Sequence, residues 1–238
     1  MGMGTKLAAG IAAIAVIGAG GWFGGRMAVE RVVHDYILEH PEILPQAMEN
    51  LQKRESQAQL AGVRQSVETP FPGAVLGNPD GTTTLVEFSD FACGYCRQSL
   101  PDVQALIAKN PDLRIVVREL PVISPASPAA ARMALAAAEQ GKYPAFHDAM
   151  YAAGQVDDAT IEAVAQKVGL DMERARRVAE SPTVEEEIQR NLKMASQLGF
   201  TGTPSWVAGD ALIAGAVGID QLSRALDEAR AARSSQDS

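Results

Sequence analysis

The chain holds two cysteines, and they stand as Cys93-Gly94-Tyr95-Cys96, with two residues between them. The run before them, Thr82-Thr83-Thr84-Leu85-Val86-Glu87-Phe88, reads as a strand, and the run after them places Leu100, Val103 and Ile107 on one face of a helix. A strand, a short turn and a Cys-x-x-Cys at a helix start form a redox arrangement. Free N–H groups and the helix dipole stabilise negative charge at that start. The first sulfur is therefore favoured as a thiolate, the form that attacks disulfides. The second cysteine lies one helical turn on, within reach of an intramolecular disulfide.

Other uses of the pair are weaker. A purely structural disulfide would close so short a loop that it removes only about 2 kcal/mol of unfolded-state entropy. A zinc site needs about four ligands. The two cysteines and the dispersed His34, His40 and His147 do not supply them, so no metal is expected.

The segment Glu87-Phe88-Ser89-Asp90-Phe91-Ala92-Cys93-Gly94-Tyr95-Cys96 resembles the active-site segment of the DsbA-type branch of the thioredoxin superfamily, most closely its ScsC-like members. Pro101 stands where thioredoxins kink this helix. The run Arg118-Glu119-Leu120-Pro121-Val122-Ile123-Ser124-Pro125 resembles the strand exit of the branch, and Gly202-Thr203-Pro204 resembles its cis-proline loop. The likeness covers about residues 71–229. It implies an α/β thioredoxin fold with an inserted helical subdomain at about 128–198, and thiol–disulfide exchange without a cofactor. Cys93 is then the nucleophile and Cys96 the resolving thiol. The family places a buried acid at the position of Glu87, near the second cysteine, where it accepts a proton. The other reading of Glu87 is an outward-facing strand residue. The family's cis bond falls at Thr203–Pro204, and the backbone of Thr203 pairs with an extended client. Gly94 and Tyr95 complete the client-binding set and help to set the redox potential.

Strong oxidants of this branch carry a histidine between the cysteines, and this chain has none there. The same Gly-Tyr pair with threonine before the cis-proline occurs in DsbC-like isomerases of different architecture. These features favour a reductase or isomerase bias, with a DsbA-like dithiol oxidase as runner-up. A chaperone-like binding module is the alternative from another class.

The 238 residues suit one domain with additions. The formal net charge of −8 and the lack of a basic patch argue against nucleic acid as a partner. Leu7 to Gly25 contains no charged residue and is about 20 residues long, enough to span a bilayer. It reads as an uncleaved inner-membrane anchor at 1–26, or as a secretory signal cleaved near Gly18-Ala19-Gly20. Either places the protein in the periplasm or an equivalent extracytoplasmic space, where disulfide exchange belongs. The expected partners are cysteine-containing exported proteins and a membrane redox partner.

Residues 27–66 read as a helical stalk. It is interrupted at His40-Pro41 and carries Leu44, Met48 and Leu51 at i, i+4, i+7. The stretch from Asp35 to Leu44 resembles the assembly region of ScsC-like relatives. The stalk therefore either joins copies of the chain into a homo-oligomer or packs on its own catalytic domain. Residues 67–238 form that domain. Ala74 to Gly77 and the Thr82 strand read as a hairpin around Asn78-Pro79-Asp80-Gly81. Leu113 to Val117 is the next strand. From about Pro128 to Leu198 the chain is helical, with Asp157 or Asp158 and Asp171 as caps. His147 there reads as a structural or surface residue rather than a proton carrier. Ser205 to Ala208 and Ala211 to Ala214 are strands, Ile219 to Ala232 a closing helix, and Ser234 to Ser238 a disordered tail.

Overall fold

The protein, seen in a computed structural model, is described over residues 30–236. The apolar stretch from Leu7 to Gly25 lies outside the described residues. No helix among the described residues is long and apolar enough to cross a membrane. The chain divides into two compact units, Met1–Gln52 and Lys53–Ser238.

In the first unit residues 30–39 are helical (α1), and a turn at residues 41–42 follows. Pro41 sits in that turn. Helix α2 (Ile43–Leu60) then begins, so Pro45 falls in its first turn, where a missing N–H does no harm. Val33, Leu44, Met48 and Leu51 are all more than half exposed.

In the second unit a five-stranded sheet runs in the order β1-β3-β2-β4-β5. Its strands are β1 (Val75–Gly77), β2 (Thr83–Ser89), β3 (Leu113–Glu119), β4 (Ser205–Ala208) and β5 (Ala211–Ala214). Strand β2 is central, parallel to β3 and antiparallel to β4. Both faces of the sheet are covered, so alternation along β2 sorts side chains between two cores. Leu85, Ile115, Val117 and Trp206 face one core, with Cys93 and Cys96. Val86, Phe88, Val116 and Val207 face the other, with Leu60, Val67, Met194 and Leu198.

The expected hairpin of β1 and β2 does not form. β1 pairs antiparallel with β3, and β3 pairs with β2, so β3 lies between the two. The reason is visible at Gly77. Its φ is +76°, and a Cβ there would stand 2.6 Å from the carbonyl oxygen of Leu113. The chain hugs β3 at that point and then steps past it through residues 78–82 to reach β2.

Helix α3 (Arg64–Glu68) precedes the sheet, and α4 (Gly94–Lys109) joins β2 to β3. The inserted helices are α5 (Ser127–Ala138), α6 (Tyr143–Ala153), α7 (Asp158–Lys167), α8 (Met172–Ala179) and α9 (Pro182–Gln197). Asp157, Asp171 and Ser181 cap α7, α8 and α9, accepting from Thr160, Arg174 and Val184 N–H groups. The closing helix α10 (Ile219–Gln236) continues into the segment expected to be a disordered tail, as far as Gln236. Arg230 and Arg233 hold it to Thr83 and Thr82, and the Ser234 and Ser235 hydroxyls bond back to carbonyls of the preceding turn.

The buried Arg118 ties three segments together. Its guanidinium donates to Glu187 at 2.6 Å and to the backbone carbonyls of Ser66, Val67 and Thr69. Removing one partner of such a buried pair costs about 3–5 kcal/mol.

Candidate active site

The C-terminal end of β2 delivers the chain into α4. Cys93 is the N-cap of that helix, with φ −81° and ψ 117°, and its sulfur accepts from the Cys96 N–H at 3.4 Å. The sulfur thus occupies the place where a capping oxygen usually sits and where negative charge is stabilised. Both cysteines are free thiols. Cys96 is 1% exposed, deeper than Cys93, but Cys93 is itself only 5% exposed. A nucleophile at a helix start would be expected to stand open to solvent, but Cys93 is buried. The cap position turns its thiol inward, and it donates to the carbonyl of Thr203 at 3.2 Å. The Thr203–Pro204 bond is cis. Tyr95 is 67% exposed beside the thiols, and a side chain at Gly94 would meet nothing.

Glu87 lies two residues past Leu85 on β2, which puts it on the face toward α4 and α6 rather than toward solvent. One carboxyl oxygen accepts from the Ser89 hydroxyl at 3.0 Å, while the other is buried with no protein partner. Burial pushes this carboxyl up. A proton on His147 and the bond from Ser89 act the other way. Cys96 is also pushed up, by burial first and then by the charge of Glu87. The buried thiol and the buried carboxyl therefore titrate as a pair, each state depending on the charge of the other.

Three residues matter here that sequence reasoning did not single out for a role. Asp90, just past β2, is buried and accepts four bonds: from Ala92 N–H, Ser127 hydroxyl, Val122 N–H and Ile123 N–H, at 2.7–2.8 Å. It pins the exposed Val122 and Ile123 beside the turn that carries Cys93. The signal was an acid between the strand and the Cys-x-x-Cys, where free N–H groups gather. Glu119, at the end of β3, is buried and accepts from the Tyr143 hydroxyl at 2.7 Å. Burial pushes its carboxyl up to about 8, against the Tyr143 bond and helped by the charges of Asp90 and Glu87. No sequence pattern marks it apart from its neighbour Arg118. His147 is 1% exposed and packs among Phe91, Tyr143 and Tyr151, so it is not a surface residue. Among the described residues no group of three or more possible metal ligands lies together.

This geometry agrees with comparisons to known proteins. The DSBA-like thioredoxin domain family matches residues 84–227, and the N-terminal domain family of the copper resistance protein ScsC matches residues 26–58. A solved thioredoxin-like oxidoreductase of Silicibacter pomeroyi is 44% identical with a TM-score of 0.65, covering 70% of this chain and 97% of its own. A solved ScsC of Proteus mirabilis is 25% identical with a TM-score of 0.66, over 87% of this chain and 98% of its own. Among curated proteins, the Na(+)/H(+) antiporter NhaA 1 of Salinispora arenicola is 31% identical over 158 residues, 65% of this chain. The chain spans only 24% of the length of that antiporter. With a thioredoxin-type sheet, a Cys-x-x-Cys at a helix start and a cis-proline against its first sulfur, the chain belongs to the DSBA-like thioredoxin family and is similar to its ScsC members.

Proposed function

We propose that the protein exchanges disulfides in exported proteins outside the cytoplasm, with a bias toward reduction and isomerisation. The observation that carries this reading is the placement of the two sulfurs. Cys93 caps the helix and touches the Thr203 backbone, while Cys96 lies deeper, next to Glu87. Cys93 as thiolate attacks a client disulfide and forms a mixed disulfide. Cys96 then displaces the client and closes the Cys93–Cys96 bond. Glu87 takes the Cys96 proton in that step. The Thr203 backbone and Pro204 receive the client as an added strand, and Gly94 and Tyr95 border it.

The bias rests on Gly94 and Tyr95, which offer the Cys93 thiolate no imidazolium, so the reduced form gains less stabilisation than in a strong oxidant. Isomerisation also benefits from several sites around one client. The exposed Leu44, Met48 and Leu51 support a stalk that joins copies, as does the match to the ScsC N-terminal family over residues 26–58. Location outside the cytoplasm is supported by the apolar residues 7–25. It is further supported by the likeness to a periplasmic thioredoxin-like protein of Salmonella enterica, at 28% identity and TM-score 0.62. In this reading residues 7–25 also tether the chain to the membrane, near a membrane redox partner.

The test is the reduction potential, measured by equilibration with glutathione, together with refolding of a scrambled substrate. A potential well below about −120 mV, with recovery of native pairings, is expected. A potential near that of a strong oxidant, with no isomerisation, points to a dithiol oxidase. Activity that survives Cys93→Ser with Cys96→Ser points to a binding module.

A further inference from the structure

Glu87 is 1% exposed, so a proton it takes from Cys96 has no direct way to water. Its Oε2 and the Nε2 of His147 are both buried, and neither has a hydrogen-bond partner in the protein. Buried polar atoms are almost always paired, with each other or through a water. The two side chains act on each other electrostatically: a proton on His147 is the main influence opposing burial at Glu87. Tyr151 fixes their relation. Its hydroxyl lies 2.7 Å from Ser89 Oγ, the group that holds Glu87, and its ring packs edge-on to His147 at 5.0 Å.

The other ring nitrogen faces outward. His147 Nδ1 lies 3.1 Å from Asp148 Oδ1, whose side chain is 59% exposed while that of His147 is 1% exposed. An ionised carboxylate only accepts, so Nδ1 carries the hydrogen, and in the neutral ring Nε2 keeps the lone pair. The imidazole can therefore accept a proton on its buried side and release one on its exposed side.

Building on Glu87 as the acceptor of the Cys96 proton, we propose that His147 is a relay residue that carries this proton from Glu87 to Asp148 and solvent. In the resolving step the Cys96 S–H proton leaves and the Cys96 sulfur bonds to the Cys93 sulfur. The Cys93–client bond breaks, with its electron pair leaving on the client thiolate. The enzyme dithiol loses two electrons and the client disulfide gains two. The proton runs Glu87, His147, Asp148, and the reverse reaction carries it inward. The titratable groups around this path are Glu87 on β2, Asp90 past its end, Cys96 on α4, Glu119 on β3, and Tyr143, Asp148 and Tyr151 on α6. His147 touches neither sulfur, so its effect is confined to the proton-coupled step.

The test resolves the two chemical steps by stopped flow between about pH 6 and 8.5. His147→Gln is expected to slow resolution by Cys96 about tenfold, leaving mixed-disulfide formation by Cys93 unchanged. Adding it to Glu87→Gln should slow resolution no further, because the two act in series. Unchanged resolution in His147→Gln, or an equal slowing of both steps, overturns the relay. If Glu87→Gln itself leaves resolution unchanged, the role of Glu87 falls first and the relay with it. A measurement on the unaltered protein is independent of folding in the variants. The ring-nitrogen NMR signals of His147 at one fixed pH are expected to differ between the reduced and oxidised forms, and Glu87→Gln should abolish the difference. Identical His147 ring-nitrogen signals in both redox forms overturn the proposal.

Discussion

The Cys93 sulfur lies 3.2 Å from the carbonyl oxygen of Thr203, a residue 110 positions further along the chain. The sheet brings them together. β2 and β4 are antiparallel neighbours, with Phe88 opposite Ser205, so the end of one strand lies beside the start of the other. The loops that leave those two ends meet, and the first sulfur is set against the backbone that would receive a client. Cys96, one turn on, lies deeper, beside Ser89 and Glu87.

This division of roles predicts the outcome of trapping. With Cys96→Ser, a client attacked by Cys93 has no resolving thiol and should accumulate as a mixed disulfide, visible on a non-reducing gel. With Cys93→Ser, the remaining thiol is 1% exposed and raised by burial, so trapping should fall at least about tenfold. Equal trapping by the two variants would remove the assignment.

Glu119 predicts a pH dependence of stability. Burial raises its folded-state carboxyl to about 8, and in the unfolded chain it titrates near the ordinary value of about 4.3. Between those values the folded protein holds a proton that the unfolded chain has released. Stability is therefore fully present below the unfolded value and falls as pH rises through the window, by up to about 1.4 kcal/mol per unit. Glu119→Gln keeps an acceptor for Tyr143 and removes this dependence. Denaturant unfolding of the reduced proteins at pH 5, 6, 7 and 8 should show the wild type losing stability more steeply, by a few kcal/mol over the range. Parallel curves would mean that Glu119 is ionised in the fold.

The redox motif and the elements around it were legible because each rests on local signals. The Cys-x-x-Cys, the capping Asp157 and Asp171 and the apolar runs of β3, β4 and β5 declare themselves within a few residues. What was not legible depends on neighbours distant in sequence. β1 looked like half of a hairpin because Asn78-Pro79-Asp80-Gly81 has turn chemistry, yet β3 outcompetes β2 for it. His147 looked ordinary because nothing in the run Tyr143 to Met150 says that Glu87, some 60 positions earlier, comes within its electrostatic reach. Glu119 and Asp90 were quoted within motifs, but their work is defined by Tyr143, Val122, Ile123 and Ser127, which only the fold assembles. The end of α10 was missed because its anchors, Thr82 and Thr83, lie at the far end of the domain in sequence.

Tyr95→His tests the proposed reducing bias. Tyr95 is 67% exposed and Gly94 has no neighbour within reach of a Cβ, so the exchange should leave packing intact. An imidazolium beside the Cys93 thiolate stabilises the reduced form and makes the protein more oxidising. A rise of about 30 mV or more is expected in a glutathione titration, equivalent to about tenfold in the equilibrium constant. An unchanged potential would show that the residues between the cysteines do not set the bias here.

The stalk can be tested by truncation, and the structure decides where to cut. A deletion through residue 66 looks natural from sequence, but it would remove parts of the catalytic unit. Leu60 is fully buried in that unit's core, and Arg64 donates to the Gly209 carbonyl at 2.6 Å and to Asp210. Gln57 also donates to Asp210, at 2.7 Å. Losing Leu60 alone should cost about 2–5 kcal/mol, a large part of a domain's net stability of about 5–15 kcal/mol. The informative protein therefore begins at Lys53, the first residue of the larger unit. It should fold, reduce a small disulfide at the full-length rate and run as a monomer in light scattering. Its recovery of scrambled substrate should fall about tenfold or more, because linked sites gain their advantage from effective concentration. A chain beginning at residue 67 should instead lose stability and both activities together. If the Lys53 form isomerises as well as the full-length protein, assembly through the stalk is not the source of the proposed isomerase activity.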